Sequence, residues 1–199
     1  MTTVFTIGHS NHPRERFFDL LRGGGITAVA DVRSKPFSRR HPHFSRPALT
    51  KTLEDAGIRY IFLGEELGGQ PDDPGLQRDG APDYERMAAT DAFQRGLDRV
   101  LESAARHRTA LMCAEREPLE CHRFLLVSRH LALRGARIAH ILGDGSIEEH
   151  GQTLRRLLAV TRLGAGELFA SEAPPDEVVA RAFAAGHRRL FGNKNARSR

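Results

Sequence analysis

Hydrophobic and polar positions alternate along this chain in two distinct rhythms. Five short apolar stretches read as buried strands: VFTIG (4–8), ITAVADV (26–32), IRYIFLG (58–64), TALMCAE (109–115) and ARIAHIL (136–142). Between them the apolar residues recur at helical spacing. The first such segment, 13–25, opens with Pro13, places Phe17, Leu20 and Leu21 on one face and stops at glycines. Further helices are predicted near 46–56, over Tyr84–His107, over Pro118–Arg134 and near 147–160. Residues 68–82, rich in Gly, Pro and Asp, form the longest irregular stretch. After Gly164 the pattern weakens to one short helix at 175–185. Strand and helix alternate, and the strands carry apolar residues on both faces. The expected fold is therefore a three-layer open α/β domain, its sheet mostly parallel and covered by helices on both faces. We place the domain at 1–163, with 164–199 as a partly helical extension ending in a basic tail.

Composition narrows the setting. A chain of 199 residues with 40% hydrophobic content suits one domain with one core. No apolar run approaches the roughly 20 residues of a membrane-spanning helix, and MTTVFTIGHS does not read as a signal peptide. Two cysteines do not make a disulfide framework, so the expected location is cytoplasmic with reduced thiols. The net charge of +5 favours anionic partners and argues against no particular one. That charge is clustered. Residues 32–53 hold Arg33, Lys35, Arg39, Arg40, Arg46 and Lys51 with no acid, and the segment after Gly186 is also basic. With no Trp and 7% aromatics, an extended stacking platform for single strands is not expected.

In open α/β sheets, ligands bind beyond the carboxyl ends of the strands. Here those ends carry GHSN (8–11), with His9 and Ser10; DVRSKPFSRR (31–40), with Asp31, Arg33, Ser38 and Arg39; GEELGG (64–69); CAEREPLECHR (113–123); and GDGS (143–146). Arginine forks at three of these positions, Arg33, Arg39 and Arg123, match phosphate oxygens. Arg33 also lies two residues beyond Asp31, so those two form a candidate pair. Pro118 suits the first turn of a helix, which would set Cys121 near a helix start and favour a reactive thiolate. The alternative for Cys121 is burial, since Leu125, Ser128 and Ala132 share its face. Spacing excludes a phosphatase loop, because neither Leu119 nor Val127 is the arginine required six positions beyond a cysteine. It also excludes a Cys-x-x-Cys pair. Cys113, Cys121, His122 and His9 are suitable metal-ligand types, but their spacing matches no zinc motif, and no metal or cofactor is expected.

The ordered set TIGHSN, ADVRSKPFSRR, YIFLGEELGG and LMCAEREPLECHR resembles the DUF488 family of domains of unknown function over roughly residues 3–150. The resemblance covers Gly8, His9, Asp31, Arg33, Ser38, Arg39, Leu63, Gly64, Leu67, Gly69, Cys113, Glu115, Cys121, His122 and Arg123, and implies an α/β fold with a polar pocket at those positions. It implies no reaction. The expectation is an enzyme acting on a phosphate-bearing substrate, a nucleotide or a nucleic-acid base, by hydrolysis or glycosyl transfer. Glu115 or Asp31 would move protons, with His9 or His122 assisting and Cys121 as nucleophile or packing residue. Arg33, Ser38, Arg39, Arg123 and Ser10 would bind substrate. A non-catalytic nucleotide or nucleic-acid module is the alternative, and thiol or metal chemistry at the two cysteines is a weaker one.

Overall fold

A computed structural model describes residues 2–163 and 176–195, with side chains as far as Gly192. The chain runs β1 (Thr3–Gly8), α1 (Arg14–Gly23), β2 (Ala28–Asp31), α2 (Arg46–Asp55), β3 (Arg59–Phe62) and α3 (Gly64–Leu67). A two-strand hairpin follows, β4 (Gln77–Arg78) and β5 (Ala81–Pro82), then α4 (Tyr84–Ala88), α5 (Asp91–Arg106) and β6 (Thr109–Cys113). The remaining elements are α6 (Arg129–Leu133), β7 (Arg137–Ile141), β8 (Ile147–Glu149), α7 (His150–Thr161) and α8 (Asp176–Asn195).

The main sheet has the order β3-β2-β6-β1-β7-β8. All neighbouring pairs are parallel except β7 with β8. Two-residue alternation along each strand divides the core into two layers. Phe5, Ile7, Val29, Ala110 and Met112 pack with α1 and α2 residues such as Phe17, Leu21, Leu49 and Leu53. Val4, Ala30, Leu111 and Cys113 face the other way, onto Leu67, Phe93, Leu97, Phe124, Leu157 and Phe183. The result is the three-layer α/β fold.

The same alternation assigns the polar residues at the strand ends to sides. Asp31 and His9 continue the α1/α2 side, while Cys113 points to the opposite one. Strands β1 and β6 are adjacent, with Gly8 opposite Cys113, and the helices that follow them cover opposite faces. This is the topological switch point at which open sheets form a crevice.

Several element boundaries differ from the sequence expectation. The helix over Tyr84–His107 is two helices, broken at Ala89 and Thr90; the Thr90 hydroxyl caps the second by accepting from Phe93 N–H. Pro118 opens only a single tight turn, Pro118–Glu120, after which Cys121 is extended. The helix proper begins at His122 and carries a π-type stretch, Arg123–Ser128, before α6. Pro118 therefore does not set Cys121 in the first turn of a helix, because a single tight turn and an extended residue intervene. The segment 147–160 begins as β8 and becomes helical at His150. The short helix expected at 175–185 continues to Asn195. Arg197 and Arg199 of the basic tail lie outside the described residues.

Candidate functional site

Two polar constellations meet at the carboxyl edge. On the α1/α2 side, Arg33 grips Asp31 with both ends of its fork, Nε to Oδ1 at 2.8 Å and Nη2 to Oδ2 at 2.6 Å. Tyr60 donates its phenol to the same Oδ2 at 2.8 Å. Arg33 Nη1 donates to the Phe44 carbonyl at 2.8 Å and to His9 Nε2 at 3.1 Å. His9 in turn donates Nδ1–H to the Ser10 carbonyl and stacks on Phe44, with ring centroids 4.2 Å apart. Burial, followed by the Arg33 charge, holds His9 down at about 4, so it is neutral at physiological pH. Asp31 is fully buried and engaged by Arg33 and Tyr60. This network fixes the strand ends and leaves Asp31 without a free oxygen to move a proton.

On the other side Glu115 is the hub. The residue as a whole is exposed, but its carboxylate turns inward and Oε2 accepts from Cys113 Sγ at 2.8 Å and Cys121 Sγ at 3.1 Å. Burial alone would raise Glu115, but the two thiol hydrogen bonds and the nearby His122 ring outweigh it and hold the carboxyl at about 2. Burial pushes the Cys113 thiol well up. His122 donates Nε2–H to the Val32 carbonyl at 2.8 Å, which leaves Nδ1 facing Cys121 Sγ at 3.7 Å. Arg123 is fully buried: Nη1 donates to Cys113 Sγ at 2.9 Å and to the Glu115 carbonyl at 2.6 Å, and Nη2 to the Arg116 carbonyl at 3.0 Å.

Close backbone approach makes this geometry possible. A Cβ on Gly8 would lie 1.9 Å from the Glu115 carbonyl oxygen, so only glycine lets β1 lie against the 114–116 loop. A Cβ on Gly69 would lie 2.5 Å from the His122 ring, which is packed directly on the backbone there.

Glu115 and His122 line a pocket of about 170 Å³ with Arg33, Lys35, Tyr84 and Phe191. Of the expected substrate-binding residues, Arg33 reaches this wall with its fork already engaged. Arg123 lies behind the cysteines, and the anion clamp of Arg33, Arg39 and Arg123 is not assembled. Arg39 is exposed on the loop beyond β2. Ser38 instead ties that loop together, accepting from His41 N–H while its own N–H donates to Ser45 Oγ. Ser10, at φ 49°, forms the turn after β1 and donates to Asn11. The sequence reading missed Lys35, Tyr84 and Tyr60. Lys35 was visible within the basic cluster, whereas the tyrosines carried no signal beyond their type.

The fold and site define an open α/β protein with a polar pocket at the carboxyl edge of its sheet, at the switch point between β1 and β6. A family model described as "Domain of unknown function DUF488" matches residues 13–130, more than half of the chain, and the chain belongs to that family. Neither curated proteins nor solved structures give a significant match. Among the described residues no helix is long and apolar enough to cross a membrane.

Proposed function

We propose that the protein is an enzyme acting hydrolytically on a phosphate-bearing substrate, a nucleotide or a nucleic-acid strand, in the pocket lined by Glu115 and His122. One observation carries this reading: the loop beyond β2 holds cations whose side chains have no partner. Lys35 lines the pocket, and Arg39 and Arg40 stand exposed farther along the same loop, none of the three side chains held in an ion pair or hydrogen bond among the described residues. Phe37, between them, is 70% exposed, an unusual position for an aromatic side chain in water. The loop is braced rather than loose. Arg46 N–H donates to the Pro36 carbonyl, Phe44 is fully buried, and Ser38, His41 and Ser45 are linked by hydrogen bonds. A fixed aromatic face among cations suits one base and its phosphates, with the cations supplying the salt-dependent part of binding.

Within this reading Asp31, His9 and Arg33 position the pocket wall, and Glu115 and His122 face the substrate. Glu115 at about 2 is a weak base at neutral pH, so its carboxylate acts as a fixed negative charge. The test is fluorescence anisotropy with a short single-stranded oligonucleotide and with nucleotides across a salt series, together with product analysis. Affinity is expected to fall steeply with salt, and to drop about tenfold in Phe37→Ala and further in Arg39→Ala/Arg40→Ala, with the melting temperature unchanged. Glu115→Gln is expected to bind but not turn over. Binding with no turnover by the native protein would favour a non-catalytic module, and no binding at low salt would remove the phosphate reading altogether.

A further inference from the structure

Cys113, Glu115, Cys121 and His122 each turn one donor atom toward a common point, and all four atoms lie within 4.8 Å of one another. We infer that these residues form a binding site for one zinc-class divalent metal ion, in which Cys113, Cys121 and His122 are the anchoring ligands and Glu115 is the exchangeable ligand on the pocket side. The inference stands independently of the substrate class proposed above and supplies that pocket with the electrophile that Glu115 alone cannot provide.

Size comes first. With metal–sulfur bonds of about 2.3 Å and metal–nitrogen or metal–oxygen bonds of about 2.0–2.1 Å, a tetrahedron has edges of about 3.3–3.8 Å. The Cys121 Sγ to His122 Nδ1 distance of 3.7 Å already falls in that range. The two sulfur–carboxylate distances, 2.8 and 3.1 Å, are hydrogen-bond distances. They need to open by less than 1 Å as a metal replaces the thiol protons, a movement that a carboxylate on an exposed loop can make.

The surroundings provide two further observations. His122 donates Nε2–H to the Val32 carbonyl, so its tautomer is set and Nδ1, facing the cysteines, carries the lone pair. Metal-bound histidines are held in this manner by an outer hydrogen bond to a carbonyl or carboxylate. Arg123 is the second. It is wholly buried and makes no direct ion pair among the described residues; the Glu115 carboxylate reaches it only through the Cys113 thiol. A buried guanidinium without a directly paired counter-charge is costly. The side-chain atom that it touches is Cys113 Sγ, at 2.9 Å, and its own backbone N–H donates to Cys121 Sγ at 3.3 Å. With both sulfurs as thiolates the charges balance: three negative ligand charges against a divalent cation and one guanidinium. Binding releases the two thiol protons to solvent, and nothing is oxidised or reduced.

Ligand chemistry selects the ion. Two thiolates and an imidazole favour zinc over magnesium or calcium, which take oxygen donors. Three buried anchors with one ligand facing the pocket leave a position that water or substrate can enter, the arrangement of zinc sites that activate water.

The experiment is a cobalt titration of the reduced, metal-stripped full chain, followed by optical absorption. The expected result is saturation at one ion per chain with thiolate charge-transfer and tetrahedral d–d bands. The charge-transfer band should shrink in Cys113→Ser and Cys121→Ser, and Glu115→Gln should still bind, about tenfold more weakly. In case the serine variants fail to fold, the native chain carries a second readout: one equivalent of zinc should raise its melting temperature, and a chelator should reverse the rise. Absence of the charge-transfer band, or a melting temperature unchanged by zinc, overturns the site. A metal site in a protein that binds no nucleotide or oligonucleotide would leave this inference standing and remove only the substrate proposal. Oligonucleotide binding with no metal site would do the reverse.

Discussion

At the scale of single residues, the arginines show how burial changes a reading. Arg33, Arg39 and Arg123 are equivalent in a sequence: cations at strand ends, suited to phosphate. In the folded chain only Arg39 is free. Arg33 is committed to Asp31, the pairing that their two-residue spacing suggested, and Arg123 is a buried support beneath the cysteines. Nothing in the sequence distinguishes a solvated arginine from a wholly buried one, because the partners of Arg123 are backbone carbonyls and sulfur rather than a carboxylate. Replacing it tests that role. Arg123→Met keeps the stem but forfeits charged hydrogen bonds to the carbonyls of Glu115 and Arg116, a loss of about 3 kcal/mol. Chemical denaturation should show it as a lowered midpoint with unchanged slope, and a change below about 0.5 kcal/mol would show that the guanidinium is not a structural support. The cysteines, Glu115 and His122 were legible as a chemical group, but their convergence was not. Eight residues separate Cys113 from Cys121, and their approach depends on the tight turn at Pro118 and the extended Cys121 that follows it.

At the scale of elements, strands and helices were legible where apolar periodicity was strong, and boundaries were lost where local hydrogen bonds interrupt it. Thr90 caps a new helix within what reads as one amphipathic run. β8 was concealed because its three residues, Ile147–Glu149, lead straight into α7, and the capping box there uses Glu149 with Gln152 in place of the usual Ser or Thr. The packing of α7 on β7 also buries a histidine pair. His140 Nδ1 lies 2.8 Å from Thr6 Oγ1, and its Nε2 lies 3.1 Å from His150 Nδ1. Burial holds His150 at about 4; burial, then His150, Arg123 and Arg156, hold His140 well below its usual value. Both rings are therefore neutral in the folded protein at pH values where the unfolded chain binds protons. Their stabilising effect is complete above about pH 6.5 and is lost as pH falls from there toward 4. The pair should contribute up to about 2.7 kcal/mol per pH unit to the fall in unfolding free energy over that window, and His150→Gln should flatten the dependence. An unchanged acid limb in that variant would show that the pair is not the source.

At the scale of the whole molecule, the sheet does more than connect the site: its alternation separates the Asp31–Arg33–His9 brace from the cysteine group while keeping both at one edge. The last helix completes the second layer. Ala182 and Phe183 of α8 are buried in the core shared with Leu125 and Leu157, and Leu190 and Phe191 reach the pocket wall. The weak apolar pattern after Gly164 hid this, since α8 turns a narrow apolar face to the domain. Phe183→Ala is expected to cost about 3–5 kcal/mol in thermal or chemical unfolding, as for a core residue; a loss under about 1 kcal/mol would mean that α8 is only loosely attached.

The proposed site gathers four side chains from one stretch of chain, 113–122, around one metal ion beside this pocket. Native mass spectrometry of the full chain, purified under reducing conditions and supplied with zinc, puts it to the test. A single species heavier by one zinc ion less two protons is expected, reduced to the bare chain in Cys113→Ser/Cys121→Ser. A native chain that stays at its bare mass, or a double variant that retains the zinc, would contradict it.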